Sequence, residues 1–207
     1  MKGEIKDPAA SVHEKLKNLA KQRGRPFQEL FYYYSIERFL YRFSRSLYAS
    51  RFVLKGGLMF IGWGIDLRRP TRDIDVQGYV ENSIENLVSI VKDICVQQVE
   101  TDGMSFDPDS VRGERIMNDA DYQGMRIFFI GRLGKAPIHL HLDVSFANVI
   151  TPHHIEIDYP SLLGMPEFQL RGYPVQTSIA EKFQAMVVLG TINGRMKDFY
   201  DIWLLSQ

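Results

Sequence analysis

The chain has 207 residues, 45% of them hydrophobic, which is enough for one substantial core or for one core with a helical appendage. Lys plus Arg and Asp plus Glu both number 25, so net charge provides no general attraction to nucleic acid or membrane. The single cysteine, Cys95, excludes an internal disulfide framework and a thiolate zinc cluster. The charged start, MKGEIKDPAA, does not resemble a secretory signal, and no apolar run is long enough to span a bilayer, so we expect a soluble cytoplasmic protein.

The first part of the chain predicts two helices, at residues 8–22 and 26–47, separated by RGRP. Apolar residues recur at helical spacing in the second helix and predict a buried face. They are Ile36, Phe39, Leu40, Phe43 and Leu47. Arg38, Arg42 and Arg45 form a stripe opposite this face, which is either solvated or part of a phosphate-contacting groove.

The middle of the chain predicts mostly strands. A short buried strand, RFVLKGG, runs into a glycine turn and a short helix, LMFIGWG, and a polar loop then leads to a second strand, RDIDVQGYV. Residues 82–96 predict a covering helix, and residues 102–118 predict mostly loop. Further strands are predicted at YQGMRIFFIGRL and IHLHLDVSFANV, with edge strands at 153–157 and 173–176.

The C-terminal part predicts helices at 179–190 and 196–206, joined by GTINGR. Ser178 is predicted to be the N-cap of the first, with Glu181 completing a capping box. The order of elements predicts an α+β fold, with a mixed β-sheet core flanked by N-terminal and C-terminal helices. We expect one compact unit made of a helical segment, an α/β core and a second helical segment, at 1–50, 51–176 and 177–207.

Two carboxylates mark the second predicted strand. Because side chains alternate along a strand, Asp73 and Asp75 point to one face while Ile74 and Val76 point into the core. Carboxylates fixed on one face repel each other, and a divalent cation that prefers hard oxygen ligands, Mg²⁺ or Mn²⁺, removes that cost. Alternation in HLHLDVSF places Asp143 on the polar face of a later strand. If the two strands are neighbours, three carboxylates could hold two metal ions for phosphoryl or nucleotidyl transfer.

Each of these features also has a plainer interpretation. An Asp-x-Asp pair is commonly a solvated strand end, and Gly56 and Gly57 could form only a tight turn. His139 and His141 could be zinc ligands, together with the histidines at 153 and 154, although histidines on a half-exposed strand are more often structural.

The combination of motifs is more specific than its parts. LKGGLMF…RRPTRDIDV resembles the opening motif of the AbiEii/AbiGii toxin family, the abortive-infection nucleotidyltransferases of the DNA polymerase β-like superfamily. That motif is a strand ending in Lys-Gly-Gly, a short helix and an Arg-x-Thr/Ser-x-Asp-Ile-Asp segment, which here runs from Arg69 through Thr71 to Asp75. IAEKFQAMV…GRMKDFYDIWLL is similar to the family's Ala-Glu-Lys and Lys-Asp-x-Tyr-Asp helices. The matching positions are Lys182, Lys197, Asp198, Tyr200 and Asp201.

The resemblance implies a metal-dependent nucleotidyltransferase with a nucleoside triphosphate as substrate. Asp73 and Asp75 would bind the Mg²⁺ or Mn²⁺ ions that carry the triphosphate, and Asp143 would activate the acceptor hydroxyl or complete the metal site. Lys182 would neutralise charge on the triphosphate, and Asp198 would support Lys182 or the acceptor. The residues expected at the nucleotide are Lys55, Gly56, Gly57, Thr71, Arg72 and Lys182. Leu58 stands where the wider superfamily usually has Ser or Thr, which leaves the backbone N–H groups of the glycine turn as an anion site.

The resemblance also implies a toxin that a separately encoded antitoxin holds in check. The acceptor could be tRNA, another RNA or a protein hydroxyl, and no membrane partner is expected. Two other classes could use the same residues: a non-catalytic nucleotide- or RNA-binding protein of the same fold, and a metal-dependent phosphohydrolase. Retention of the three aspartates together with Lys182 favours an active site over the first class. The glycine turn and the C-terminal lysine favour a bound triphosphate over the second.

Overall fold

The computed structural model describes residues 7–65, 70–118, 122–146 and 149–207. The helices of this part are α1 Pro8–Arg23, α2 Phe27–Arg45, α3 Met59–Gly62, α4 Ile84–Cys95, α5 Val175–Leu189 and α6 Met196–Leu205. The strands are β1 Phe52–Lys55, β2 Ile74–Gly78, β3 Met104–Asn118, β4 Tyr122–Leu133, β5 Ala136–Ser145, β6 Ile155–Tyr159 and β7 Phe168–Gly172. All seven strands belong to one mixed sheet in the order β3-β4-β5-β2-β1-β7-β6. The predicted α+β class is confirmed.

Pairing between strands changes from antiparallel to parallel at the centre of the sheet. β2 pairs antiparallel with β1 on one side and parallel with β5 on the other. In β5, Leu140, Leu142 and Val144 are buried beneath the helices, while the alternate residues face outward. One face of the sheet therefore carries the core, and the opposite face remains open for polar side chains.

Helix α2 packs over the core face of the sheet. The ring of Phe39 lies 5.5 Å from Phe106 and 4.3 Å from Phe129, measured between centroids. The other side of α2 is also covered, because the Tyr34 hydroxyl donates to the Asp102 carbonyl at 2.7 Å. The part of α2 from residue 34 to residue 43 is buried and leaves little surface for solvent or for a ligand.

The arginine stripe of α2 is therefore neither a solvated face nor a phosphate groove, and both predictions for it are wrong. Arg38 is fully buried, beside Glu37 and over the ring of Tyr41. Arg42 is also buried and makes two hydrogen bonds to the Asp102 carboxylate, at 2.7 and 3.1 Å. Each guanidinium has an internal anionic partner, which offsets the cost of its burial. Of the three arginines only Arg45 is exposed.

Several local predictions are also corrected. Residues 102–118, predicted as mostly loop, contain β3, an edge strand that pairs with β4 and whose residues Ser105, Arg112 and Glu114 are exposed. The strand predicted at 173–176 lies instead at Phe168–Gly172. Helix α5 begins at Val175 after Pro174, so Ser178 is inside the helix and is not its N-cap. Helix α2 ends at Arg45, which leaves Leu47 exposed outside the predicted apolar face.

Helices α5 and α6 form a C-terminal hairpin that packs on itself more than on the sheet. Large apolar side chains remain exposed on it: Phe183, Val187, Val188, Ile192, Met196, Phe199 and Trp203. None of the helices within the described ranges combines the length and apolarity required to cross a bilayer.

Candidate functional site

A row of three charged residues crosses the open face of the sheet. Asp75 on β2 is in register with Lys55 on β1 and with Asp143 on β5. Residues in register on adjacent strands point to the same face, so these side chains are neighbours. The flanking Ile74 and Val76 are fully buried on the opposite face, as alternation predicts.

Asp75 occupies the least favourable position of this row for a negative charge. Burial of its carboxyl group, together with the negative charges of Asp143 and Asp73, raises its pKa to about 6. Lys55 and Lys197 act in the opposite direction without cancelling the effect. A carboxylate held in this way binds a proton or a cation more readily than an ordinary aspartate does.

Asp73 lies just before β2 and has a partner of its own. Its Oδ1 lies 3.0 Å from Nε2 of His141, and its side chain is 44% exposed. The hydrogen bond from His141 holds the pKa of Asp73 below its usual range, while partial burial acts against this shift. The pKa values of the two aspartates of the Asp-x-Asp motif are therefore shifted in opposite directions, down for Asp73 and up for Asp75.

Asp143 is held by an arginine from the next strand. Arg126 on β4 donates from Nε and from Nη2 to the two carboxylate oxygens of Asp143, both at 2.7 Å. The two residues are directly opposite in the β4–β5 register. This bidentate pair fixes the orientation of Asp143 and supplies a positive charge at the edge of the row.

Gly56 allows the chain to approach Asp75 closely. Its φ is +68°, and a Cβ atom placed there would lie 2.2 Å from Oδ2 of Asp75. Both the backbone conformation and the space therefore require glycine. Gly57 continues the turn, and Leu58 is fully buried, so the position where the superfamily places a hydroxyl points into the core.

Lys55 connects the row to helix α5. Its Nζ lies 2.9 Å from Oε2 of Glu181 and 3.4 Å from Oγ of Ser145, and 5.2 Å from the ring centroid of Tyr173. Glu181 also accepts a hydrogen bond from the Tyr173 hydroxyl at 3.0 Å. The predicted capping-box role of Glu181 is thus wrong, because this side chain points to the sheet.

Lys182 and Asp198 lie together in the hairpin. Nζ of Lys182 donates to Asp198 and to Asp201, both at 2.9 Å, and both carboxylates are fully buried. Nε of Arg195 donates to the second oxygen of Asp198 at 2.6 Å. Lys197 is exposed on the same helix, and its charge lowers the pKa of both Asp73 and Asp75.

Thr71 and Arg72 lead into β2 from the segment before it. Thr71 is buried, and its backbone N–H donates to the hydroxyl of Tyr33 on α2 at 3.0 Å. Arg72 is exposed, with its guanidinium 6.0 Å from the centroid of the Tyr32 ring. Arg69, which belongs to the same motif, lies outside the described residues.

A metal ion at this face would have hard oxygen donors, and the raised pKa of Asp75 fits such a site. Across the part of the chain that the structure describes, however, no three His, Cys, Asp or Glu side chains close around a common point. Asp143 is turned to Arg126, and Asp73 to His141. The three predicted metal ligands share a face, but two of them are bound to cationic or neutral partners.

Sequence reasoning did not identify several of these partners. Alternation along YQGMRIFFIGRL could have placed Arg126 beside Asp143, given the register of the β4–β5 hairpin. His141 was weighed as a zinc ligand, but it contacts Asp73 instead. No periodic signal in the sequence could have linked Tyr33 to Thr71, because that contact joins a helix to a distant loop.

Comparisons with known proteins bear on the family and on the fold. The family described as "Nucleotidyl transferase AbiEii toxin, Type IV TA system" matches residues 38–207. The fold is similar to that of JHP933 from Helicobacter pylori, with a TM-score of 0.57 and 17% identity over 86% of this chain and 66% of that one. A second H. pylori protein, provisionally described as a nucleotidyltransferase, has a TM-score of 0.52 and 17% identity over 84% and 66%. This chain thus spans 66% of the length of each. None of the curated proteins compared with it matches in sequence.

Proposed function

This chain belongs to the AbiEii nucleotidyltransferase toxin family, and on that premise we propose that it transfers a nucleotide from a nucleoside triphosphate to a macromolecular acceptor. The observation that carries the proposal is the row of Lys55, Asp75 and Asp143, with Asp73 beside it. Three carboxylates on one open face, with a raised pKa at the central one, would attract and bind divalent cations.

We propose that Asp73, Asp75 and Asp143 hold Mg²⁺ or Mn²⁺. Metal ions bound there would stabilise the charge that develops on the attacking and leaving oxygens. Occupation of the site would require Arg126 to release at least one oxygen of Asp143 and His141 to release Asp73. A released Arg126 would remain close enough to neutralise phosphate charge.

The other charged residues suit the substrate. Gly56 and Gly57 bring the backbone close to Asp75, so phosphate oxygens bound by the N–H groups of the glycine turn would lie near a metal ion on the carboxylate. Lys55 provides a positive charge next to the row. An ammonium group has three donors, and Lys182 uses two of them for Asp198 and Asp201, which leaves the third for the triphosphate. Asp198 would then act by holding Lys182 in place.

The acceptor is proposed from family membership alone. With Arg38 and Arg42 buried, the structure offers no arginine groove on α2 for RNA. We propose an RNA such as tRNA as the first acceptor to test and a protein hydroxyl as the second. The type IV toxin–antitoxin description of the family also supports a cognate antitoxin as partner.

Labelling tests the chemistry directly. The protein is incubated with Mg²⁺, total RNA and total protein, and with each nucleoside triphosphate labelled at the α-phosphate. We expect label from at least one nucleotide to enter a macromolecule, and Asp73→Asn or Asp75→Asn to abolish this incorporation. Asp109→Asn, at an exposed aspartate outside the row, is the matched control and should retain it.

The same assay separates the rival functions. Phosphate release without incorporation would indicate a phosphohydrolase, and binding of nucleotide without either product would indicate a non-catalytic protein. Thermal melts of each variant show whether lost activity is only lost folding. Incorporation that survives in Asp75→Asn would show that the proposed metal role is wrong.

The toxin role is tested by expression in a bacterial host. We expect overexpression alone to slow growth, and the slowing to require Asp75 and Lys182, because one would hold the triphosphate through the metal and the other by direct contact. Arrest that persists unchanged in Asp75→Asn would mean toxicity by binding. Normal growth with active transfer in vitro would remove the toxin role and leave the transferase activity.

A further inference from the structure

We propose that Tyr32 and Arg72 form a stacking platform for the base of the bound nucleoside triphosphate, and that Tyr33 holds this platform against the carboxylate row. The inference deepens the proposed function and rests on it. It concerns the N-terminal half of α2, which precedes the matched residues 38–207. The platform thus combines Tyr32, which precedes the matched residues, with Arg72, which lies within them.

Tyr33 is the anchor of this arrangement. Its hydroxyl accepts the backbone N–H of Thr71 at 3.0 Å, two residues before Asp73. The ring itself is steadied by Arg25, whose guanidinium lies 5.8 Å from its centroid and whose Nε donates to Glu29 at 3.2 Å. Helix α2 thus fixes the position of the segment that enters β2.

Tyr32 presents its ring next to that segment. It is half-buried, and the guanidinium of exposed Arg72 lies 6.0 Å from its centroid. Burial raises the pKa of the Tyr32 hydroxyl, and the charge of Asp73 raises it further, whereas Arg72 lowers it. The charges of Arg72 and Asp73 are therefore close enough to Tyr32 to affect its hydroxyl.

A planar ring beside a planar guanidinium is the surface on which nucleobases stack. Because every base has a π face, such a platform contributes affinity without selecting one base. A triphosphate bound at Asp73 and Asp75 would have its nucleoside end within reach of Arg72, the residue next to Asp73 in the chain. Arg72 would then contact the base by stacking and not only the phosphates by charge.

The experiment compares ligands with and without a base. Binding of a nucleoside triphosphate and of inorganic tripolyphosphate, each with Mg²⁺, is measured by calorimetry on the full chain. Tyr32→Ala should weaken nucleotide binding about tenfold and leave tripolyphosphate binding unchanged, while Tyr32→Phe should bind both as the wild type does. Tyr32→Leu keeps apolar volume without a π face and should behave like Tyr32→Ala.

Tyr33→Phe and Tyr79→Ala complete the design. Tyr33→Phe removes the hydrogen bond to Thr71 and should weaken both ligands, the nucleotide more than tripolyphosphate, since it loosens the segment that carries both Asp73 and Arg72. Tyr79 is 53% exposed and outside the proposed site, so Tyr79→Ala should change neither affinity. Melting temperatures identify any variant that fails to fold.

Three results would overturn the platform. Equal weakening of both ligands by Tyr32→Leu would mean that Tyr32 only supports the fold. Unchanged nucleotide binding in Tyr32→Ala, with a raised KM for the acceptor, would assign the ring to an acceptor base. Tight binding in Tyr32→Leu would show that the π face is not used. A wild-type protein that binds neither ligand would instead contradict the proposed function itself.

Discussion

A cluster on the sheet and a cluster in the C-terminal hairpin both combine a lysine with aspartates, with opposite results. In the hairpin, Lys182 lies 2.9 Å from both Asp198 and Asp201, and the two carboxylates are fully buried. On the sheet, Lys55 is shared with Glu181, and Asp75 retains a pKa raised to about 6. Lys182 neutralises charge on both carboxylates of the hairpin, whereas Asp75 on the sheet is still repelled by Asp143 and Asp73.

This difference separates a structural role from a binding role. Buried charges that satisfy each other hold elements together, and removal of one partner leaves an uncompensated charge. Carboxylates that repel each other raise the free energy of the unliganded protein, and a bound cation lowers it. We therefore expect variants of the hairpin cluster to lose stability, in addition to the proposed triphosphate contact of Lys182, and variants of the sheet cluster to lose ligand binding.

The largest effect on stability is expected for Lys182→Met. It leaves two buried carboxylates without their shared cation, so the free energy of unfolding should fall by about 3–5 kcal/mol. Lys197→Met, at an exposed lysine of the same hairpin, should change it by less than about 0.5 kcal/mol. Urea denaturation measures both, and a loss below about 1 kcal/mol for Lys182→Met would contradict the structural role.

Gly56→Ala should have the next largest effect. Left-handed backbone strain costs about 1–2 kcal/mol, and the added methyl group would meet the Asp75 carboxylate at 2.2 Å, so we expect a total of about 3 kcal/mol. The matched control is Gly24→Ala, because Gly24 has a φ of +61° in open space and should show the strain alone. Equal losses in the two variants would show that Asp75 moves aside easily.

Asp75→Asn should stabilise the metal-free protein by about 3 kcal/mol at pH 7. The raised pKa means that the native state takes up a proton before the unfolded chain does, between pH 6 and pH 4. The free energy of unfolding of the wild type should therefore rise relative to that of Asp75→Asn as pH falls through 6. The difference between the two proteins should vanish near pH 4. Denaturation with a chelator present, at several pH values, measures this difference.

Mg²⁺ gives the same experiment a second readout. Binding of the ion to the native wild type should narrow or reverse the difference at pH 7, because a ligand of the native state adds to its stability. A difference that Mg²⁺ does not change would contradict metal binding at Asp75.

The smallest effect is expected for Arg126→Met. Loss of this guanidinium frees both oxygens of Asp143, so the Mg²⁺ concentration that half-saturates the stability gain should fall about threefold. Arg132→Met, at an exposed arginine of the same strand, should leave it unchanged. A higher half-saturating concentration would indicate that Arg126 supports the metal site instead of competing with it.

Alternation within strands accounts for what the sequence could predict of the site. The pattern around Asp73, Asp75 and Asp143 was sufficient to place them on one face, because β2 and β5 each have a buried side and an open side. The same reasoning failed for the arginines of α2, since helical periodicity shows which residues oppose the apolar face but not what covers them. Strand β3 was missed because an edge strand can be polar on its exposed side.

Contacts between distant segments were beyond this reasoning. The bonds of Tyr33 to Thr71, Arg126 to Asp143 and Lys55 to Glu181 depend on how elements are arranged in space. Local periodicity does not report how distant elements are arranged, and these long-range contacts determine the electrostatics of the site.

The parallel pairing of β2 with β5 has a consequence for the protein during its synthesis. Asp73 and His141 are 68 positions apart, and Lys55 reaches its partner only when Glu181 has been made. Closing such long loops must wait for the later segment, and chains emerge from the ribosome at about 5–20 residues per second. The charged row, and any chemistry it performs, therefore cannot form before β5 has been made, and the contact of Lys55 with Glu181 comes later still.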